Sequence, residues 1–150
     1  MTAVLDTNVI VRHLTYDPPD QGQAATAYLA AADHLVLPDV IAAETVYVLQ
    51  SYYRAPKDTI AAALRALVAM GNVRVERPEM LLRAIDLFEI ANFDFADAYV
   101  VAYAQTHGIS QIASFDKGID KRLVAAAQAA PGTPPAISRL DPSGLAKPNS

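Results

Sequence analysis

The chain has 150 residues, Lys+Arg 12 against Asp+Glu 16, and a formal net charge of −4, which is one domain's worth of sequence, long enough to bury its own core. A cysteine count of 0 excludes a disulfide framework, a thiolate metal site and a cysteine nucleophile, and 53% hydrophobic with 19% charged residues excludes a disordered chain. The start, Met1 to Asp6, lacks the basic region of a signal peptide and no apolar run approaches the ~18 residues that span a bilayer, so the cytoplasm is the default location; the acidic balance counts against a general nucleic-acid coat protein.

Ala3 to Leu5 is a short buried-strand candidate. Asn8 to Leu14 follows as a short helix, ended by the Asp17-Pro18-Pro19-Asp20 turn. Asp20, with Gln23 three residues on, is the capping pair of a helix running to about Ala32. His34 to Leu37 is a second strand, and Pro38 and Asp39 open a helix that carries Glu44 to about Tyr53. Pro56 starts the next helix and Gly71 stops it. Val73 to Val75 is a third strand. Pro78 to Asn92 is amphipathic, with Leu81, Leu82, Ile85 and Phe88 on one side. Ala96 to His107 is a helix closed by Gly108, and Gln111 to Ser114 is a fourth strand. A last helix covers roughly Asp120 to Ala130. Pro131 to Ser150 holds half of the prolines and forms a tail, with one short edge strand at Ala136 to Leu140. Residues 1–130 are thus the folded domain and 131–150 the Pro-rich tail.

Strands alternating with helices imply an α/β fold with a parallel sheet covered on both faces. Ligands of such sheets sit beyond the carboxyl ends of the strands. Four acids lie there or on the next helix: Asp6 after the first strand, Glu44, Asp97 at a helix start, and Asp116 after the fourth strand. Converging carboxylates repel unless a cation neutralises them, and all-oxygen ligands select a hard one, Mg²⁺ or Mn²⁺. Such a cluster suits metal-assisted hydrolysis of a phosphodiester. Each acid also has a structural reading. Asp6 can cap a helix, Asp97 stands at capping-box spacing from Asp94, and Asp116 can make an Asx turn. Glu44 has apolar neighbours, Ile41 to Ala43, Val46 and Val48, and would be a buried acid needing a partner.

Val4 to Ile10 (VLDTNVI) resembles the opening motif of PIN-domain nucleases. Ile41 to Leu49 (IAAETVYVL) is similar to their second motif, Phe95 to Ala102 (FADAYVVA) to their third, and Ser114 to Lys117 (SFDK) to their fourth. Four motifs in order, over about Thr2 to Ala130, make a strong combined signal. The resemblance implies a PIN-like fold, a five-stranded parallel sheet sandwiched between helices. It implies an Mg²⁺- or Mn²⁺-dependent endoribonuclease with Asp6, Glu44, Asp97 and Asp116 as its catalytic, metal-binding quartet. Chain length fits the VapC-type toxins, which implies an RNA substrate, a homodimer and a VapB-type antitoxin partner. By the same resemblance Asn8 and Ser114 support the metal site. Ser114 stands where threonine is commoner, and the Pro-rich tail has no counterpart among the motifs.

Arg12 and Lys117 are candidates to grip substrate phosphate, and Lys121 and Arg122 follow close behind. His13, His34 and His107 form no ligand spacing. Tyr47, Tyr52 and Tyr53 are read as core or dimer contacts rather than base-stacking platforms. Two rival functions are a catalytically silent PIN-like module that binds RNA or a partner, and a HAD-like phosphatase. The phosphatase needs a second aspartate two residues after Asp6, where this chain has Asn8. The four proposed ligands equal the whole acidic excess, so the net charge points to a cation rather than away from RNA.

Overall fold

A computed structural model describes residues 1–115 and 136–139. The expected helix at 120–130, Asp116, Lys117 and most of the tail lie outside the described residues.

Strand β1 (Thr2–Val4) leads into helix α1 (Thr7–Thr15), and α2 (Pro19–Ala31) returns to β2 (His34–Val36). Helices α3 (Asp39–Ser51) and α4 (Lys57–Val68) precede β3 (Val73–Arg74), and α5 (Pro78–Ile90) and α6 (Phe95–Thr106) precede β4 (Gln111–Ser114). Strand β5 (Ala136–Arg139) follows in the tail. Proline sets most helix starts: Pro19 and Pro78 lie in the first turns of α2 and α5, and Pro38 and Pro56 stand just before α3 and α4. Its fixed φ suits the entry turn, and its missing N–H is one the helix leaves unpaired there anyway. Pro18 therefore occupies the N-cap position of α2, and the expected Asp20–Gln23 capping pair is not used; Asp20 is instead in the first turn, where the dipole favours an acid.

All ladders are parallel. Strands β1, β2 and β3 form one sheet in that order, with Ala3 opposite Leu35 and Leu35 opposite Val73. Strand β4 pairs with β5 in a second, two-stranded sheet. The single five-stranded sheet is thus corrected, among the described residues, to three strands plus two. Strands of two to four residues offer few ladder bonds, and β1 spends its own on β2. The sandwich is also one-sided there: Leu35 is fully buried, while Val4, on the opposite face, is 68% exposed.

The core lies between the covered sheet face and the helices, and includes Leu5, Ile10, Leu35, Leu64, Ile85, Phe88 and Phe93. On α5, Leu81, Ile85 and Phe88 are buried and Leu82 is half-buried, as its periodicity predicts. Phe88 meets Phe95 of α6 edge-on, with centroids 5.9 Å apart. No helix among the described residues is long and apolar enough to cross a membrane.

Candidate active site

The chain leaves β1 through buried Leu5 and reaches Asp6 in extended backbone (φ −95°, ψ 154°), which turns it into α1. Asp6 holds the N-cap position, yet its side chain makes no capping hydrogen bond. A carboxylate in the best capping position that caps nothing is available for other chemistry. Thr7 is 6% exposed, and its hydroxyl donates to Glu44 Oε2 at 2.9 Å. This bond spans 37 residues and ties the start of α1 to α3. Glu44 itself is exposed, which corrects the expectation of a buried acid. The buried stripe of α3 is Ala42, Thr45, Val46 and Leu49, while Val48 lines the same cavity as Glu44.

Asp6, Thr7, Asn8 and Glu44 line one end of a cavity of about 470 Å³. Val11, Val48, Pro18, Tyr52 and Tyr53 line the rest, with Arg12 and Asp17 in the wall. Arg12 is engaged by the α1–α2 connection and by α2: Nη1 donates to the Asp17 carbonyl at 2.7 Å and Nε to Gln21 Oε1 at 2.9 Å. The Tyr53 hydroxyl donates to Asp17 Oδ2 at 3.0 Å.

Asp97 falls in the first turn of α6, with Asp94 at its N-cap and no side-chain capping bond. It does not line this cavity. The start of α6 and α3 share a second cavity lined by Ala43, Val46, Tyr47, Gln50, Asp94, Phe95 and Ala96. Ser114 ends β4. Among the described residues no group of three His, Cys, Asp or Glu side chains stands within reach of one metal ion. Of the expected quartet, the described residues bring Asp6 and Glu44 to one cavity; Asp97 stands on α6, outside its lining, and Asp116 lies outside the described residues.

The histidines are structural or peripheral. His13 Nδ1 pairs with Thr26 Oγ1 at 2.8 Å, and His107, at the C-cap of α6, stacks on Tyr103. Tyr47 and Tyr52 are 69% and 75% exposed, so neither belongs to the core. Sequence reasoning missed Thr7 as the partner of Glu44 and the aromatic end of the cavity. Both had a signal: Thr7 is the middle residue of Asp6-Thr7-Asn8, and Glu44, Val48 and Tyr52 recur at i, i+4 and i+8.

The PIN-domain family profile matches residues 3–122. The chain belongs to the PIN-domain family. Among solved structures it is similar to Mycobacterium tuberculosis VapC20, a sarcin–ricin loop cleaving toxin, at 20% identity over 81% of this chain and 94% of that chain, with a TM-score of 0.40. None of the curated proteins matches it.

Proposed function

We propose that the chain is a metal-dependent endoribonuclease that hydrolyses RNA phosphodiester bonds, and that it is the toxin of a VapC-type toxin–antitoxin pair. One observation carries this reading: the acid leaving β1 and the acid on α3 meet at one cavity in a PIN-domain chain. The donors at that end, two carboxylates and the Asn8 amide, are all oxygen, which fits Mg²⁺ or Mn²⁺ and not a soft metal. When bound, such a cation polarises the phosphoryl oxygen and acidifies a water molecule. Asp97 and Asp116 complete the acidic set in this reading, Asn8 and Ser114 orient it, and Lys117 meets a substrate phosphate, while Arg12 is engaged by Gln21 and the Asp17 carbonyl. The Thr7 hydroxyl fixes Oε2 of Glu44, so Oε1 would be the atom that holds a cation. The same reading makes the protein a cytoplasmic homodimer inhibited by a VapB-type antitoxin.

The test is cleavage of single-stranded RNA by purified protein with Mg²⁺ or Mn²⁺, with and without EDTA. EDTA should abolish cleavage. Asp6→Asn and Asp97→Asn should each lower it by at least ~100-fold, because a lost metal contact weakens transition-state stabilisation by several kcal/mol. Circular dichroism should show both variants folded. Cleavage that persists in EDTA, or full activity of Asp97→Asn, would overturn the reading.

A further inference from the structure

The cavity that holds Asp6 and Glu44 has a second end with different chemistry. Val11, Val48 and Pro18 give it apolar walls, and Tyr52 and Tyr53 give it two rings. Tyr53 is the anchored ring: it packs on the core and its hydroxyl is held by Asp17. Tyr52 meets it edge-on, with centroids 4.9 Å apart and planes at 72°. That contact sets the orientation of Tyr52 yet leaves 75% of the residue uncovered. An aromatic side chain left open beside a reaction site is a stacking platform in want of a flat partner.

Charge decides which partner. The cavity carries three carboxylates, Asp6, Asp17 and Glu44, against one guanidinium, Arg12, two of whose nitrogens are already engaged by the Asp17 carbonyl and Gln21. A second phosphate is therefore repelled from the aromatic end, whereas an uncharged π-system is not. Glu44 and Val48 on α3 and Tyr52 at its C-cap continue one stripe, so the ring stands ~12 Å along the helix axis from the acidic end. That separation suits a nucleotide flanking the phosphate at the acids.

We propose that the aromatic end of this cavity is a nucleobase subsite, in which Tyr52 stacks on an unpaired base of single-stranded RNA next to the bond to be cut. The proposal rests on the ribonuclease reading for its substrate class. Stacking on one aromatic contributes a factor of about 5 to 150 in affinity and tolerates different bases, since every base has a π-face. Tyr52 therefore sets how tightly, more than which, RNA is held.

Two measurements test it. The chain has no tryptophan, so Tyr52→Trp introduces a single indole whose emission a stacked base quenches. Stopped-flow mixing with a short single-stranded oligoribonucleotide and Mg²⁺ should show quenching before turnover, and Tyr47→Trp, outside the cavity, should show none. In steady-state cleavage, Tyr52→Ala should raise KM by 5- to 150-fold with little change in kcat, and Tyr52→Phe should restore it. Removing one base beside the scissile bond should cost wild type the same factor and cost Tyr52→Ala nothing further. Unchanged KM in Tyr52→Ala together with an unquenched Tyr52→Trp, while wild type still cleaves, overturns the subsite and leaves the ribonuclease reading standing. Quenching without cleavage by any variant upholds the subsite and sinks the ribonuclease reading. A Tyr52→Ala variant that changes oligomeric state but not RNA affinity would assign the ring to a contact between copies and overturn the proposal.

Discussion

Gly22 packs against the C-terminal end of α1, and replacing it with alanine tests that packing directly. A Cβ built at Gly22 would stand 2.5 Å from Tyr16 Cα, 2.8 Å from Tyr16 Cγ and 2.9 Å from the Arg12 carbonyl oxygen. Non-bonded carbons are comfortable at ~3.5–4.0 Å, so α2 must retreat by ~1 Å. Two of the three atoms are backbone, so no side-chain rotation relieves the clash. Tyr16 sits there in the left-handed region (φ 52°), with its N–H donating to the Arg12 carbonyl. Overpacking of this kind costs ~1–3 kcal/mol. Removing a glycine from a helix interior returns up to ~1 kcal/mol. With a backbone clash the cost lies at the upper end, and the net destabilisation is ~2 kcal/mol, or ~4–8 °C in Tm for a chain of this size. Two other glycines separate the causes. Gly71 has nothing within 4 Å, so Gly71→Ala should be neutral or stabilising by up to ~1 kcal/mol. Gly108 also has open space but φ 65°, so Gly108→Ala should cost ~1–2 kcal/mol from backbone strain alone. Thermal unfolding followed by circular dichroism ranks the three variants. A Gly22→Ala protein as stable as wild type, or a Gly71→Ala protein that loses as much as Gly22→Ala, would refute the steric account.

Thr7→Val keeps shape but removes the hydroxyl that holds Glu44. Glu44 is exposed and can rehydrate, so Tm should hardly move, whereas RNA cleavage should fall ~10–100-fold and recover in Thr7→Ser; wild-type kcat in Thr7→Val would sink this role. Lys57 Nζ donates to the Phe93 carbonyl at 2.7 Å and lies 4.7 Å from the Phe88 ring centroid, clamping the turn before α6. Lys57→Met should cost ~1–2 kcal/mol, read in urea unfolding. Tyr99 donates its hydroxyl to Asp39 Oδ2 at 2.6 Å, and burial, then that bond and the Asp39 charge, raise its pKa well above the ordinary ~10. The unfolded phenol ionises first as pH rises, so this contribution to stability is whole below about pH 10 and fades as pH climbs through the folded value. Tyr99→Phe should flatten that alkaline slope, and near neutral pH it should cost ~1–3 kcal/mol, because the other Asp39 oxygen is already buried without a partner; an unchanged slope would argue against the linkage.

What could be read in advance, and what could not, separates by range. Helix starts were legible where proline marks them, because its ring fixes its own φ and restricts the residue before it: Pro38, Pro56 and Pro78 stand at or just before the starts of α3, α4 and α5, whereas α2 begins at Pro19, ahead of the cap expected at Asp20. Glu44 was misjudged as buried because its immediate neighbours are apolar, although exposure on a helix follows the 3.6-residue period rather than adjacency; Ala42, Thr45, Val46 and Leu49 point inward and Glu44 outward. The meeting of Asp6 with Glu44 followed from the rule that function gathers at strand carboxyl ends, but the Thr7 bond joins positions 37 apart, and the place of Thr7 between Asp6 and Asn8 hints at its site without naming Glu44 as its partner. Strand pairing was the least legible, since strands of two to four residues carry too few side chains to specify a neighbour. The charge count gains a location from the fold. Three acids and one engaged arginine surround a single cavity, so part of the net −4 is concentrated where a substrate would enter. An anionic polymer approaches such a cavity only with a cation at its acidic end and an uncharged group at the other, which is why the ring at Tyr52 and the carboxylates at Asp6 and Glu44 belong to one argument rather than two.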